Sequence, residues 1–170
     1  MKSTVTQTFI GLASVAVLAL VVAFMSTAVT PAAPKLQSSD SQGGKIEGTW
    51  RVQVTLRNCQ SGAEIRVFPA LLTFADGGTL TGTSTVISPG LRSPDHGVWG
   101  HDGGRSYHAV DEAFIFTPAG VWVSTQRLSQ SIELSADGDT FTSDAHTEFF
   151  DTLGNLTSSG CATAVATRMK

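Results

Sequence analysis

From residue 45 onward, apolar and polar positions alternate in short runs separated by Gly, Pro and Asp-Gly turns. Trp50, Val52, Val54 and Leu56 alternate with Arg51, Gln53, Thr55 and Arg57, the period-two signature of a strand with one buried face. Arg66 to Ala75 repeats the pattern, with Phe68, Leu72 and Phe74 on one face. Asp76-Gly77-Gly78 then turns the chain into 79–87, whose odd positions Thr79, Thr81, Thr83 and Thr85 suit a solvated face. A short strand over 97–101 follows the proline-containing loop 88–96. Further strands are predicted over 107–117, 121–134 and 140–150, and a last one runs from the Gly154-Asn155 turn to Arg168. No helix is predicted after residue 28.

Short turns make neighbours in sequence antiparallel neighbours in space. The pattern therefore predicts an all-β, eight-stranded up-and-down meander, which can stay open, form a sandwich or close into a barrel. Cys59 and Cys161 are the only cysteines, and in an exported chain a disulfide between them is the default. It would tie the end of the first strand to the last. Setting Cys59 opposite Cys161 places Val52 opposite Arg168 and Val54 opposite Ala166. Trp50, Val52 and Val54 then share a face with Ala162, Ala164 and Ala166. Pairing first strand to last closes the meander into a barrel and removes both edges.

The N-terminus carries a different pattern. One cation, Lys2, precedes an almost wholly apolar block over 9–25, and Ser26-Thr27-Ala28 offers small residues for cleavage. Residues 1–28 read as a secretory signal helix, with an uncleaved membrane anchor through 9–25 as the alternative. Residues 29–45, rich in Pro, Ser, Gln, Ala and Gly, read as a flexible linker, leaving 46–170 for the barrel. The expected location is secreted or periplasmic, or the inner-membrane surface if the anchor is retained.

Composition changes the picture in one respect. The 41% of hydrophobic residues is inflated by the N-terminal block, and the remainder is rich in Thr, Gly and Ser. Eleven Lys and Arg against fourteen Asp and Glu leave a net charge of −3 with no basic run, which argues against nucleic acid as a partner.

Gly48-Thr49-Trp50 at the start of the first strand and Arg168 at the end of the last resemble the lipocalin-like calycins. In that superfamily a Gly-x-Trp motif opens the first strand and the Trp packs under a C-terminal basic residue. The resemblance implies structural roles for Gly48, Trp50 and Arg168 at a closed barrel end. Gly admits a tight approach, Trp fills the taper, and Arg caps the indole through a cation–π contact. The segments 92–99, 113–116 and 125–127 also resemble a group of uncharacterised exported bacterial proteins.

Polar side chains are densest over 92–112. His96, His101 and His108 match no metal-ligand spacing, so no metal and no cofactor is expected. On the strand 107–117, His108, Glu112, Phe114 and Phe116 share one face, while Tyr107 and Asp111 share the other. Whichever face is inside supplies polar groups to an apolar cup. Arg127 shares parity with Val121 and Val123 and is a candidate for an anionic ligand group, or a structural partner of Asp111 or Glu112. The expected function is binding of a small, mostly apolar molecule by a monomer. Val54, Phe68, Leu72, Phe114 and Phe116 would line the site, and Tyr107, His108, Glu112 or Arg127 would orient the ligand. No nucleophile elbow, phosphate loop or catalytic carboxylate pair is present, so no catalytic residue is assigned. The alternatives are a barrel isomerase or cyclase using the polar cluster at 92–112, and a structural envelope module with a filled core.

Overall fold

A computed structural model describes residues 45–170. The export segment 1–28, with its apolar block 9–25, and all but the last residue of the linker 29–45 lie outside the described residues. Eight strands follow one another: β1 (Gly48–Arg57), β2 (Glu64–Ala75), β3 (Thr79–Ser84), β4 (Asp95–Gly103), β5 (Ser106–Phe116), β6 (Trp122–Leu134), β7 (Thr140–Phe150) and β8 (Leu156–Arg168). Each pairs antiparallel with the next, and β8 returns to pair with β1, so the meander is a closed barrel. Among the described residues the only helix is a single 3-10 turn, Pro89–Leu91. None is long and apolar enough to cross a membrane.

The strand ends follow the turn chemistry. β3 leaves its ladder at Ser84, earlier than the run of threonines suggests, because Thr85 still donates to the Pro69 carbonyl but Pro69, next in register, has no N–H to return. β4 starts at Asp95, immediately after Pro94, and pairs Asp95 with Gly82. Alternation then decides the faces. On β3, Leu80 is buried while Thr79, Thr81 and Thr83 are exposed.

Closure occurs in a register two residues from the one expected. Trp50 lies opposite Arg168, Val52 opposite Ala166 and Val54 opposite Ala164. Cys59 is not in the ladder. It sits beyond β1 in a turn where Asn58 Oδ1 accepts from the backbone N–H groups of Gln60 and Ser61, while Cys161 lies opposite Arg57. A shift of two preserves the faces, so Trp50, Val52 and Val54 still share the interior with Ala164 and Ala166. The Cys59–Cys161 disulfide spans 102 residues, with Cα atoms 5.2 Å apart. A loop of that length contributes about 4–5 kcal/mol in the chain-entropy account.

The end of the barrel holding the starts of β1, β3, β5 and β7 is packed solid. Trp50, Phe74 and Phe141 meet edge to face, with centroids 4.9 Å apart for Trp50–Phe141 and 6.0 Å for Phe74–Phe141. Ile46, Leu80 and Leu134 fill the space around them. Arg168 seals this plug from outside. Its guanidinium lies 4.2 Å from the Trp50 ring and donates to the carbonyls of Gly138, Glu47 and Lys45 at 2.8, 2.6 and 2.6 Å. Trp50 Nε1 donates to the Ile46 carbonyl at 2.9 Å. Gly48 has φ of +127°, and a Cβ there would stand 2.8 Å from Arg168 Nη1, so the first position of Gly-x-Trp has both a conformational and a steric reason.

Removing the Arg168 side chain leaves three carbonyls without their donor and the indole uncovered. Arg168→Ala is expected to lose more than about 2 kcal/mol in urea unfolding. Arg168→Lys should recover less than half of that, since a single ammonium cannot span three carbonyls in a planar fork. A loss below about 0.5 kcal/mol for Arg168→Ala would mean that the plug holds without its cap.

Candidate functional site

The other half of the barrel is hollow. A cavity of about 270 Å³ opens between the end of β1, the start of β2 and the loop 85–94. Its walls differ in chemistry. β1, β2 and β8 contribute Val52, Val54, Phe68, Leu72, Ala162 and Ala164, all apolar. The facing wall, from β4 through β7 and the loop before β4, contributes Arg92, Asp95, Asp111, Gln126, Gln130, Ser143 and Thr147. Every one of these seven is buried.

Four side chains of the polar wall form a hydrogen-bonded chain, and two more form a pair beside it. Pro94 disfavours helical backbone at Ser93, and Arg92 is itself extended, with φ −142° and ψ 131°. An isolated bridge from Arg92 to Ile115, together with the hydrogen bond from Ser93 N to the Phe114 carbonyl, lays this segment against β5. From there the Arg92 guanidinium reaches inward. It grips both oxygens of Asp95, through Nη1 at 3.0 Å and through Nη2, and donates from Nε to Gln126 Oε1 at 2.9 Å. Gln126 passes the chain on through Nε2 to Thr147 Oγ1 at 3.0 Å. Gln130 Nε2 donates to Asp111 Oδ2 at 3.2 Å. A bidentate guanidinium–carboxylate pair with its remaining donor satisfied tolerates burial, whereas a half-satisfied one does not.

Asp111 is the perturbed member. Burial pushes its carboxyl up from the ordinary 3.8 to about 7, and the neighbouring Asp95 carboxylate adds to the rise. The Gln130 hydrogen bond and the Arg92 charge oppose it. A second carboxylate at the same site disfavours the charged form, so Asp111 holds its proton more tightly. The close approach depends on Gly97, opposite Asp111 in the ladder, where a Cβ would fall 2.1 Å from the Val110 carbonyl oxygen and 2.6 Å from Asp111 Cβ. On the same wall, the buried Ser143 hydroxyl has no hydrogen-bond partner.

The expected site residues divide. Val54, Phe68 and Leu72 line the cavity. Tyr107 points inward but belongs to the plug, with Trp99 6.0 Å away, and burial and the Glu47 carboxylate raise its phenol above the ordinary value. On β5 the buried face is Tyr107, Ala109, Asp111 and Ala113. The expectation that Phe114 and Phe116 line the interior is therefore corrected. Phe114 is exposed against Trp122, at 5.9 Å, and Phe116 is half-buried and outside the cavity lining. His108 and Glu112 also leave the interior. His108 Nδ1 lies 2.5 Å from Asp102, and Glu112 takes Arg127 at 2.7 Å on the outer surface. Arg127, stacked 5.1 Å over Phe150, is a structural cation rather than a lining one.

Volume explains the choice of face. Trp99 stands opposite Ala109 in the ladder and fills that part of the interior, so its partner must be small. The stretch 92–112 accordingly does not converge on one point: Arg92, Asp95 and Asp111 are buried, while His96, His101, Asp102, Arg105 and His108 are exposed. Among the described residues no group of three His, Cys, Asp or Glu is placed to hold a metal ion. Sequence reasoning missed Gln126, Gln130, Ser143 and Thr147. The available signal was that Gln126, Leu128 and Gln130 share parity with Ile132 and Leu134, an apolar face carrying two amides.

Comparison with protein-family models, with curated proteins and with solved structures finds no match.

The raised Asp111 carboxyl predicts an unusual pH dependence. In the fold Asp111 keeps its proton to about pH 7, whereas in the unfolded chain it ionises near the ordinary 3.8. Across that window the folded state binds the extra proton, so stability falls as pH rises, by roughly 1 kcal/mol per unit, and the loss is complete above pH 7. Urea unfolding between pH 4 and 8 should show this decline, and Asp111→Asn, which cannot ionise, should flatten it and exceed the parent at pH 8. A parent profile as flat as the variant's would contradict the assignment.

Proposed function

We propose that this barrel binds a small, mostly apolar molecule, in the manner of the lipocalin-like proteins its Gly48-Thr49-Trp50 and Arg168 resemble. The observation that carries the reading is the half-hollow interior: a solid plug at one end and a cavity of about 270 Å³ behind an apolar wall at the other. Ligand pockets run from about 300 Å³ upward, so the guest is small. A filled-core envelope module has no use for such a space. The alternative, an isomerase or cyclase using the polar cluster at 92–112, would have to work without His108 and Glu112, which stand outside the cavity, and through Arg92, Asp95 and Asp111, which line it. Export through residues 1–28, a linker over 29–45 and a secreted or periplasmic location belong to the same proposal. The Cys59–Cys161 disulfide is compatible with an oxidising compartment.

Binding to an apolar wall has a measurable signature, because each buried methylene adds about 0.8 kcal/mol, roughly a factor of four in affinity. Isothermal titration calorimetry with linear alcohols from butan-1-ol to octan-1-ol should show affinity climbing by about that factor per carbon until the space is full. Ala145 lines the cavity from β7, and Ala145→Trp should abolish binding while leaving β-sheet circular dichroism intact. Affinity independent of chain length, or unchanged in Ala145→Trp, would remove the cavity from the account.

A further inference from the structure

The polar wall carries an imbalance that narrows the ligand class. Four charged residues line the cavity: Arg57, Arg92, Asp95 and Asp111. Arg57 stands at the mouth and turns its guanidinium away, donating to Thr163 Oγ1 at 2.9 Å and to the Gly62 carbonyl at 3.2 Å. Arg92 is closed on Asp95 and Gln126. Asp111 is thus the one lining carboxyl without a guanidinium of its own, answered by the neutral amide of Gln130. Independently, Ser143 places a buried hydroxyl, 5% exposed and without a partner, on the same wall. A carboxyl short of a cation and a hydroxyl oxygen with free lone pairs can both accept from a cationic group rich in N–H donors. An ammonium has three donors and one positive charge. It is buried at low cost only against an opposite charge, which this wall supplies.

We propose that the cavity accepts a small amphipathic amine, its apolar body against β1, β2 and β8 and its ammonium against the Asp111 carboxylate. This rests on the ligand-binding reading above. The ligand cation takes the place of the proton that Asp111 otherwise keeps. Binding therefore releases a proton when Asp111 starts neutral, and affinity rises with pH until Asp111 is ionised in the empty protein. The groups facing Asp111 are Asp95 from β4, Gln130 from β6 and Arg92 from the loop before β4, with the uncharged Ser143 and Thr147 further along the wall from β7.

The test uses three probes of equal length, octylamine, octan-1-ol and octanoate, titrated into the protein by calorimetry at pH 5.5 and pH 8. Octylamine is expected to bind at least tenfold more tightly than octan-1-ol at pH 8. That advantage should shrink severalfold at pH 5.5, and octanoate should bind weakest. Asp111→Asn should abolish the advantage while keeping octan-1-ol affinity, which also shows that the variant is folded. Equal affinities for amine and alcohol at pH 8, octanoate as the tightest probe, or an advantage surviving in Asp111→Asn would each overturn the amine assignment and leave the cavity reading standing. If none of the three binds, both fall.

Discussion

The ladder between β1 and β8 removes the two free edges that an eight-strand meander would otherwise present, and its register sets Arg168 over Trp50. Everything else in the molecule is arranged around that pairing. Because Trp50 is held at one end by the guanidinium and by its own bond to Ile46, the large rings of Phe74 and Phe141 gather there rather than along the whole axis. Volume used at the plug is not needed higher up, where β8 lines the cavity with the small residues Gly160, Cys161, Ala162, Thr163 and Ala164. The cavity is the complement of the plug, and the disulfide ties the β1–β2 turn to β8 beside the mouth.

The hollow half is stabilised differently from the solid half. Its apolar wall has little to pack against, so cohesion there comes from the buried chain running from Asp95 through Arg92 and Gln126 to Thr147. Such a network holds only while its members stay satisfied. Asp111 stands beside its Asp95 end and accepts from Gln130, which makes it the point where solution conditions reach the interior. The same residue that lowers stability at neutral pH supplies the charge a cationic guest would use. Carboxyl groups perturbed by burial and a like-charged neighbour cluster at functional sites.

Much of this was legible in the sequence, and the failures have physical causes. Period-two alternation located all eight strands, because a sheet with one buried face leaves that mark on every strand. The first and last strands were matched with the right faces but two residues out of register, since Cys59 sits in a turn and a disulfide need not join residues directly opposite. β5 was ambiguous because its faces look alike in composition: Phe114 and Phe116 against Ala109 and Ala113, His108 and Glu112 against Tyr107 and Asp111. Only the bulk of Trp99 across the ladder decides between them, and that is a tertiary fact. Gln126 and Gln130 were passed over for a similar reason. A buried amide is indistinguishable from a surface one until its partner is known, and the partner Arg92 comes from a loop 34 residues away.

The interior is solid at one end and hollow at the other. A crystal structure determined under xenon pressure tests it most directly, because xenon enters apolar voids and leaves packed cores empty. Xenon density is expected against Phe68, Leu72 and Ala145, and none among Trp50, Phe74 and Phe141. Side chains meeting across the barrel at Phe68 and Ala145, with no xenon between them, would contradict it.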